Sequence, residues 1–79
     1  MTNNMIHIYL EVTYLDSYLE LNVSTDCNFK LLFAMLKKMK KISFLEEQYI
    51  YEKETMVLCD QDVSFDRLNV KEGSTFLVI

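Results

Sequence analysis

Very few residues in this sequence could carry chemistry. His7 is its only histidine, and Cys27 and Cys59 are its only cysteines. A thiol nucleophile needs a base or an electropositive setting beside it. No histidine neighbours either cysteine in the sequence, and His7 falls on the outward phase of a strand-like segment. Glu46-Glu47 and Asp60-Gln61-Asp62 offer oxygen ligands, but without the regular spacing and bending glycine of a calcium loop. A single glycine among 79 residues leaves no room for a glycine-rich phosphate loop. The expectation is a chain without catalytic residues, metal, cofactor or small-molecule substrate.

Two other patterns point to binding. Five of the eight basic residues, Lys30, Lys37, Lys38, Lys40 and Lys41, fall within residues 30–41, where there is no acid. The rest of the chain sets twelve acids against three bases, and the formal net charge is −4. An acidic chain of this kind is no dedicated nucleic-acid binder, whereas charge segregation can steer a small domain toward an acidic protein surface. Lys30, Lys37, Lys38 and Lys41 are therefore candidate contacts. Tyr9 and Tyr18 form the second pattern, sharing the outward phase of two consecutive strands with His7 and Glu20 nearby. Tyr49 and Tyr51 would extend this patch from a third strand. Tyrosine is enriched at protein interfaces because it joins a large apolar ring to a polar tip.

The elements that position these residues follow from periodicity. Met5–Val12 alternates, with Ile6, Ile8, Leu10 and Val12 on one face and His7, Tyr9 and Glu11 on the other, which predicts a half-buried strand. Residues 18–23 alternate likewise, with Leu19, Leu21 and Val23 inward, and the short Thr13–Ser17 link makes the pair an antiparallel hairpin. Ser24-Thr25-Asp26-Cys27-Asn28 then supplies helix-capping side chains, with Asp26 as the favoured cap. From Phe29 to about Ile42 the period becomes helical, and Phe29, Leu31, Leu32, Phe33, Met35, Leu36, Met39 and Ile42 fill one broad arc predicted to be core. Tyr49–Tyr51 and Thr55–Cys59 read as two more strands and Ser64–Val70 as a short helical turn. Gly73 is expected at a positive-φ turn position, and Thr75–Ile79 as a final strand. Placing that last strand beside the first buries it and lets the helix cover one side of the sheet. The fold class is α+β: a β-grasp with a mixed, twisted sheet of four to five strands and one main helix packed across it. Residues 1–79 form a single domain in this reading, with 1–4 as a disordered tail.

The segment Leu19–Asp26 with the helix entry Cys27–Lys30, and the closing Arg67–Ile79, resemble the second strand and the last strand of ubiquitin. From about Met5 to Ile79 the whole chain is similar to the small bacterial ubiquitin-like proteins of the YukD/EsaB type. The resemblance is one of length, element spacing and apolar placement. It implies a cytoplasmic accessory protein of the type VII (ESX, WXG100) secretion system of Gram-positive bacteria, acting by docking to a cytoplasmic or membrane-associated component. A modifier needs a thin, flexible diglycine end; Leu77-Val78-Ile79 provides none, so conjugation is disfavoured.

Location follows from the same residues. Two widely spaced cysteines suit a reducing compartment. The amino-terminal residues lack the pattern of a signal peptide, and no run reaches the length of a membrane span, so a cytoplasmic protein without membrane insertion is expected. The leading function is a non-enzymatic type VII accessory or regulatory protein binding a protein partner, with self-association left open. The alternatives are a ubiquitin-like modifier or sulfur carrier, and a small nucleic-acid-binding domain using the basic helix face.

Overall fold

A computed structural model describes residues 4–39 and 48–79. Strand β1 spans Met5–Val12 and β2 Ser17–Ser24, joined through a single 3-10 turn at Thr13–Leu15. Their antiparallel register runs unbroken from Met5 opposite Ser24 to Val12 opposite Ser17. Helix α1 covers Phe29–Lys38, β3 covers Ile50–Glu52 and β4 covers Ser74–Val78. The sheet order is β2-β1-β4-β3, with β4 parallel to β1 and antiparallel to β3. A mixed sheet with its last strand in the interior and one helix across one face is the β-grasp arrangement. Thr55–Cys59, expected as a fifth strand, contributes only an isolated bridge from Leu58 to Tyr51. Met56 turns through the left-handed region at φ 57°, which breaks the extended run.

Alternation places Ile8, Leu10 and Val12 of β1 and Phe76 and Val78 of β4 in the core, where α1 lays Phe29, Leu32, Phe33 and Leu36 over them. The broad apolar arc expected for the helix narrows here. Leu31, Met35 and Met39 are 55%, 54% and 60% exposed, because one helix over one sheet face can bury only the side it turns toward that sheet. Ile42, Lys40 and Lys41 lie outside the described residues. So do residues 1–3 of the expected tail, whereas Asn4 accepts a backbone hydrogen bond from Thr25 at 2.9 Å.

The cap differs from the expectation. Asn28, in extended backbone, accepts from the Leu31 amide at 2.8 Å through Oδ1, the geometry of a helix N-cap. Asp26 instead sits in the preceding turn, where its amide donates to Ser24 Oγ and the Cys27 amide to the Ser24 carbonyl. Asn28→Ala is thus expected to cost about 1 kcal/mol of stability and Asp26→Ala a few tenths at most. Urea unfolding of both variants checks this; equal losses would return the cap to the turn.

The 64–70 segment packs as short turns, burying Phe65 with Leu68 and Val70 against the core. The Phe65 amide donates to Cys27 and that of Asp66 to Thr25, which ties this segment to the helix entry. Gly73 takes φ +82° as expected, and its amide donates to the His7 carbonyl at 2.7 Å, guiding β4 in beside β1.

Candidate functional site

The outer face of the sheet, turned away from α1, gathers the candidate tyrosines. The registers lay Tyr18, Glu11, Leu77 and Tyr51 across all four strands in one row, and Glu20, Tyr9 and Thr75 in the next. The Tyr9 and Tyr18 rings stack diagonally at 5.7 Å between centroids and 27° between planes. His7 tilts against Tyr9 at 5.8 Å, and its Nε2 lies 2.5 Å from Glu20 Oε1. Tyr18 is 58% exposed, while Tyr9, Tyr51 and Leu77 are half-buried. The outcome is an aromatic platform in which the Tyr9 and Tyr18 rings support each other by stacking.

Charges frame the platform. Lys53 Nζ donates to Glu11 Oε1 at 2.7 Å, and this bond, with the attraction of the carboxylate, raises the Lys53 pKa. On the opposite phase of β3, in register with Phe76, Glu52 is held below the usual carboxylate range, first by the Thr55 hydroxyl and then by the Thr55 and Glu54 amides. A depressed carboxyl steadies the fold above its unfolded pKa, and the contribution is lost as pH falls through the folded value. Thr55→Val removes the hydroxyl donor but keeps both amides, so the Glu52 midpoint is expected to move up toward the ordinary range. Side-chain NMR titration measures it; an unmoved midpoint would discount the hydroxyl.

Two residues of this face escaped the sequence reading. The expectation that pairing buries the final strand Thr75–Ile79 takes in Leu77 and Ile79 with Phe76 and Val78. The structure puts Phe76 and Val78 inward, leaving Leu77 half-buried and Ile79 47% exposed on the outer side. Ile79 exchanges both backbone hydrogen bonds with Tyr49, at 2.8 and 2.9 Å, and Tyr49 is 53% exposed. Tyr49 and Tyr51 therefore extend the platform as expected. The missing signal was the period of two, which four consecutive apolar residues conceal.

The lysines lie elsewhere. Lys30, Lys37 and Lys38 are exposed on α1, across the sheet from the tyrosines, and Lys41 lies outside the described residues. Lys30 Nζ approaches Asp62 Oδ1 at 3.7 Å with both side chains 75% exposed, so part of the basic face is already neutralised. Tyr9 and Tyr18 thus form one constellation, and the lysines a separate face.

Little else gathers chemical groups. Cys27 and Cys59 are free thiols, and burial pushes the Cys59 pKa up, keeping it protonated at neutral pH. Among the described residues no group of three His, Cys, Asp or Glu side chains could hold a metal, and no helix is long and apolar enough to cross a membrane. A cavity of about 500 Å³ opens between the 54–59 loop and the 68–73 turn over Phe76, away from the tyrosines.

Comparison with known proteins identifies the fold. No family model matches the chain, and no curated protein matches it. Among solved structures, a chain from work on molecular mimicry of SUMO in DNA repair is 18% identical, with a TM-score of 0.80 over 100% of this chain and 95% of that one. The ubiquitin of Caldiarchaeum subterraneum is 19% identical, with a TM-score of 0.74 over 96% of this chain and 92% of its own. ATBAG1, crystallised in complex with HSP70, is 25% identical, with a TM-score of 0.71; the match covers 95% of this chain and 40% of that one. The fold is ubiquitin-like.

Proposed function

We propose that residues 1–79 act as a non-enzymatic, ubiquitin-like docking protein that binds a protein partner through the outer face of the sheet. The stacked Tyr9–Tyr18 pair on an open, charge-framed face carries this reading. Flat aromatic anchors rimmed by polar groups suit protein recognition, because rigid rings bury area at low entropic cost. Lys30, Lys37, Lys38 and Lys41 serve as the steering face for an acidic partner. A part of ATBAG1, 40% of its chain, shares this fold, and ATBAG1 was crystallised in complex with HSP70, which supports a docking role.

The finer reading is a cytoplasmic accessory of type VII secretion, and its support is the sequence resemblance. The second reading, a modifier or sulfur carrier, draws its support from the archaeal ubiquitin and the chain from the work on SUMO mimicry, which share the fold over nearly their whole lengths. Pull-down from native cytoplasmic and membrane fractions tests the first: type VII components should be recovered, and recovery of translation or RNA-processing factors alone would overturn it. Incubation with ATP and the host's adenylating enzymes, followed by intact-mass measurement, tests the second. An adenylate, thiocarboxylate or conjugate at the carboxyl end would place modification ahead of secretion.

A further inference from the structure

The two edges of the sheet are treated differently. At the β3 edge, the Glu52 amide donates to the Val57 carbonyl and the Cys59 amide to the Ile50 carbonyl, so the 57–59 segment covers a three-residue strand. At the other edge β2 presents eight residues, and among the described residues no strand pairs with its outer side. Of the usual guards against pairing it carries one charge, Glu20, and Ser17–Ser24 has no proline, no lysine and no bulge in its register.

Hydrogen-bond alternation tells which groups face outward. The Thr25 amide donates to the Asn4 carbonyl, so the pair Thr25–Asn4 is hydrogen-bonded, and so by alternation are Val23–Ile6, Leu21–Ile8 and Leu19–Leu10. His7, on the other phase of β1, bonds toward β4 through its carbonyl and the Gly73 amide. The amides and carbonyls of Tyr18, Glu20, Asn22 and Ser24 therefore point out of the sheet; the Ser24 carbonyl also accepts from the Cys27 amide of its own turn and keeps a second lone pair for an outside donor.

Helix α1 offers an apolar flank above the same edge. Lys30 faces Asp62 in a loop joined to the β3 side through Gln61 Nε2 and the Gln48 carbonyl, at 2.8 Å. At about 100° per residue, Leu31, Met35 and Met39 lie on the flank away from that loop, hence on the β2 side. On β2 itself Leu19 and Leu21 turn toward the helix and are only partly buried.

We propose that β2 pairs with β2 of a second copy of this chain, antiparallel across a two-fold axis at Leu21. This register opposes Glu20 to Asn22 and Tyr18 to Ser24, twice each, so all four outward residues pair and no like charges meet. On the helix side it opposes Leu21 to its own copy and Leu19 to Val23, continuing the apolar row toward Leu31 and Met35. A shift that centred the axis on Glu20 would oppose two carboxylates, and one centred on Asn22 would leave Tyr18 without a partner. The pairing is isologous and closes on itself, giving one eight-stranded sheet rather than a fibre. It joins the two outer faces into a continuous surface and leaves the tyrosine platform open.

Sedimentation velocity of the full chain from micromolar to millimolar concentration is expected to show a monomer–dimer equilibrium; a monomer throughout overturns the proposal. Residues opposed across a non-hydrogen-bonded antiparallel pair have Cα atoms about 4.5 Å apart, close enough for a disulfide. In a Cys27→Ser, Cys59→Ser background, Leu21→Cys should cross-link with oxidised glutathione and Leu19→Cys should not, whereas equal cross-linking overturns the register. Asn22→Glu opposes Glu20 and should weaken the dimer several-fold; Asn22→Lys should tighten it. Identical shifts for the two would place the contact elsewhere. Circular dichroism confirms that each exposed-position variant is folded.

Discussion

Replacing Phe29 by alanine is expected to remove about 3–5 kcal/mol of unfolding free energy, the range for truncating a buried phenylalanine. Phe29 is fully buried at the first position of α1. Its ring meets Phe65 edge-on at 4.8 Å and Phe76 edge-on at 5.0 Å, and stacks on Phe33 at 5.9 Å. One side chain therefore joins the helix, the 64–70 turns and the interior strand β4, and its loss leaves a cavity that three rings line. Domains hold only about 5–15 kcal/mol in total, and small ones sit low in that range, so this variant should be largely unfolded at physiological temperature. Urea denaturation followed by far-UV circular dichroism reads the effect, with Tyr18→Ala as an exposed reference. A loss below about 1 kcal/mol would show that the aromatic cluster does not join these elements.

Binding should respond to the other set of aromatics. Tyr9→Ala and Tyr18→Ala are each expected to weaken partner binding by more than about 1 kcal/mol, approaching tenfold in affinity. Each removes a flat anchor and frees the ring stacked on it. Charge reversal at Lys30, Lys37 and Lys38 should instead slow association and reduce its salt dependence, because exposed charges steer more than they hold. Calorimetry gives the affinities and stopped-flow mixing over a salt series the rates. A folded double tyrosine variant that binds at full strength, with the complex lost on lysine reversal, would move the interface to the helix.

Local backbone geometry made much of this protein legible in its sequence. Adjacent residues of a strand point to opposite faces, so alternation alone assigned Ile8, Leu10 and Val12 to the core and Tyr9 and Tyr18 to the outside. Gly73 was legible for a similar reason, since its missing Cβ removes the penalty of a positive φ. Where the local signal is degenerate, tertiary contacts decided. Four consecutive apolar residues carry no phase, so only pairing with β1 and β3 divided Leu77 and Ile79 from Phe76 and Val78. Several capping side chains in succession do not say where a helix begins; the turn closed by Ser24 used Asp26 and left Asn28 to cap. Helical spacing marks which residues share an arc, while the width of the sheet beneath sets how much is buried, and that left Leu31, Met35 and Met39 exposed. The separation of tyrosines from lysines is likewise a property of the assembled layers. Periodicity determines faces one element at a time, and only packing the helix onto the inner side of the sheet set these two faces back to back.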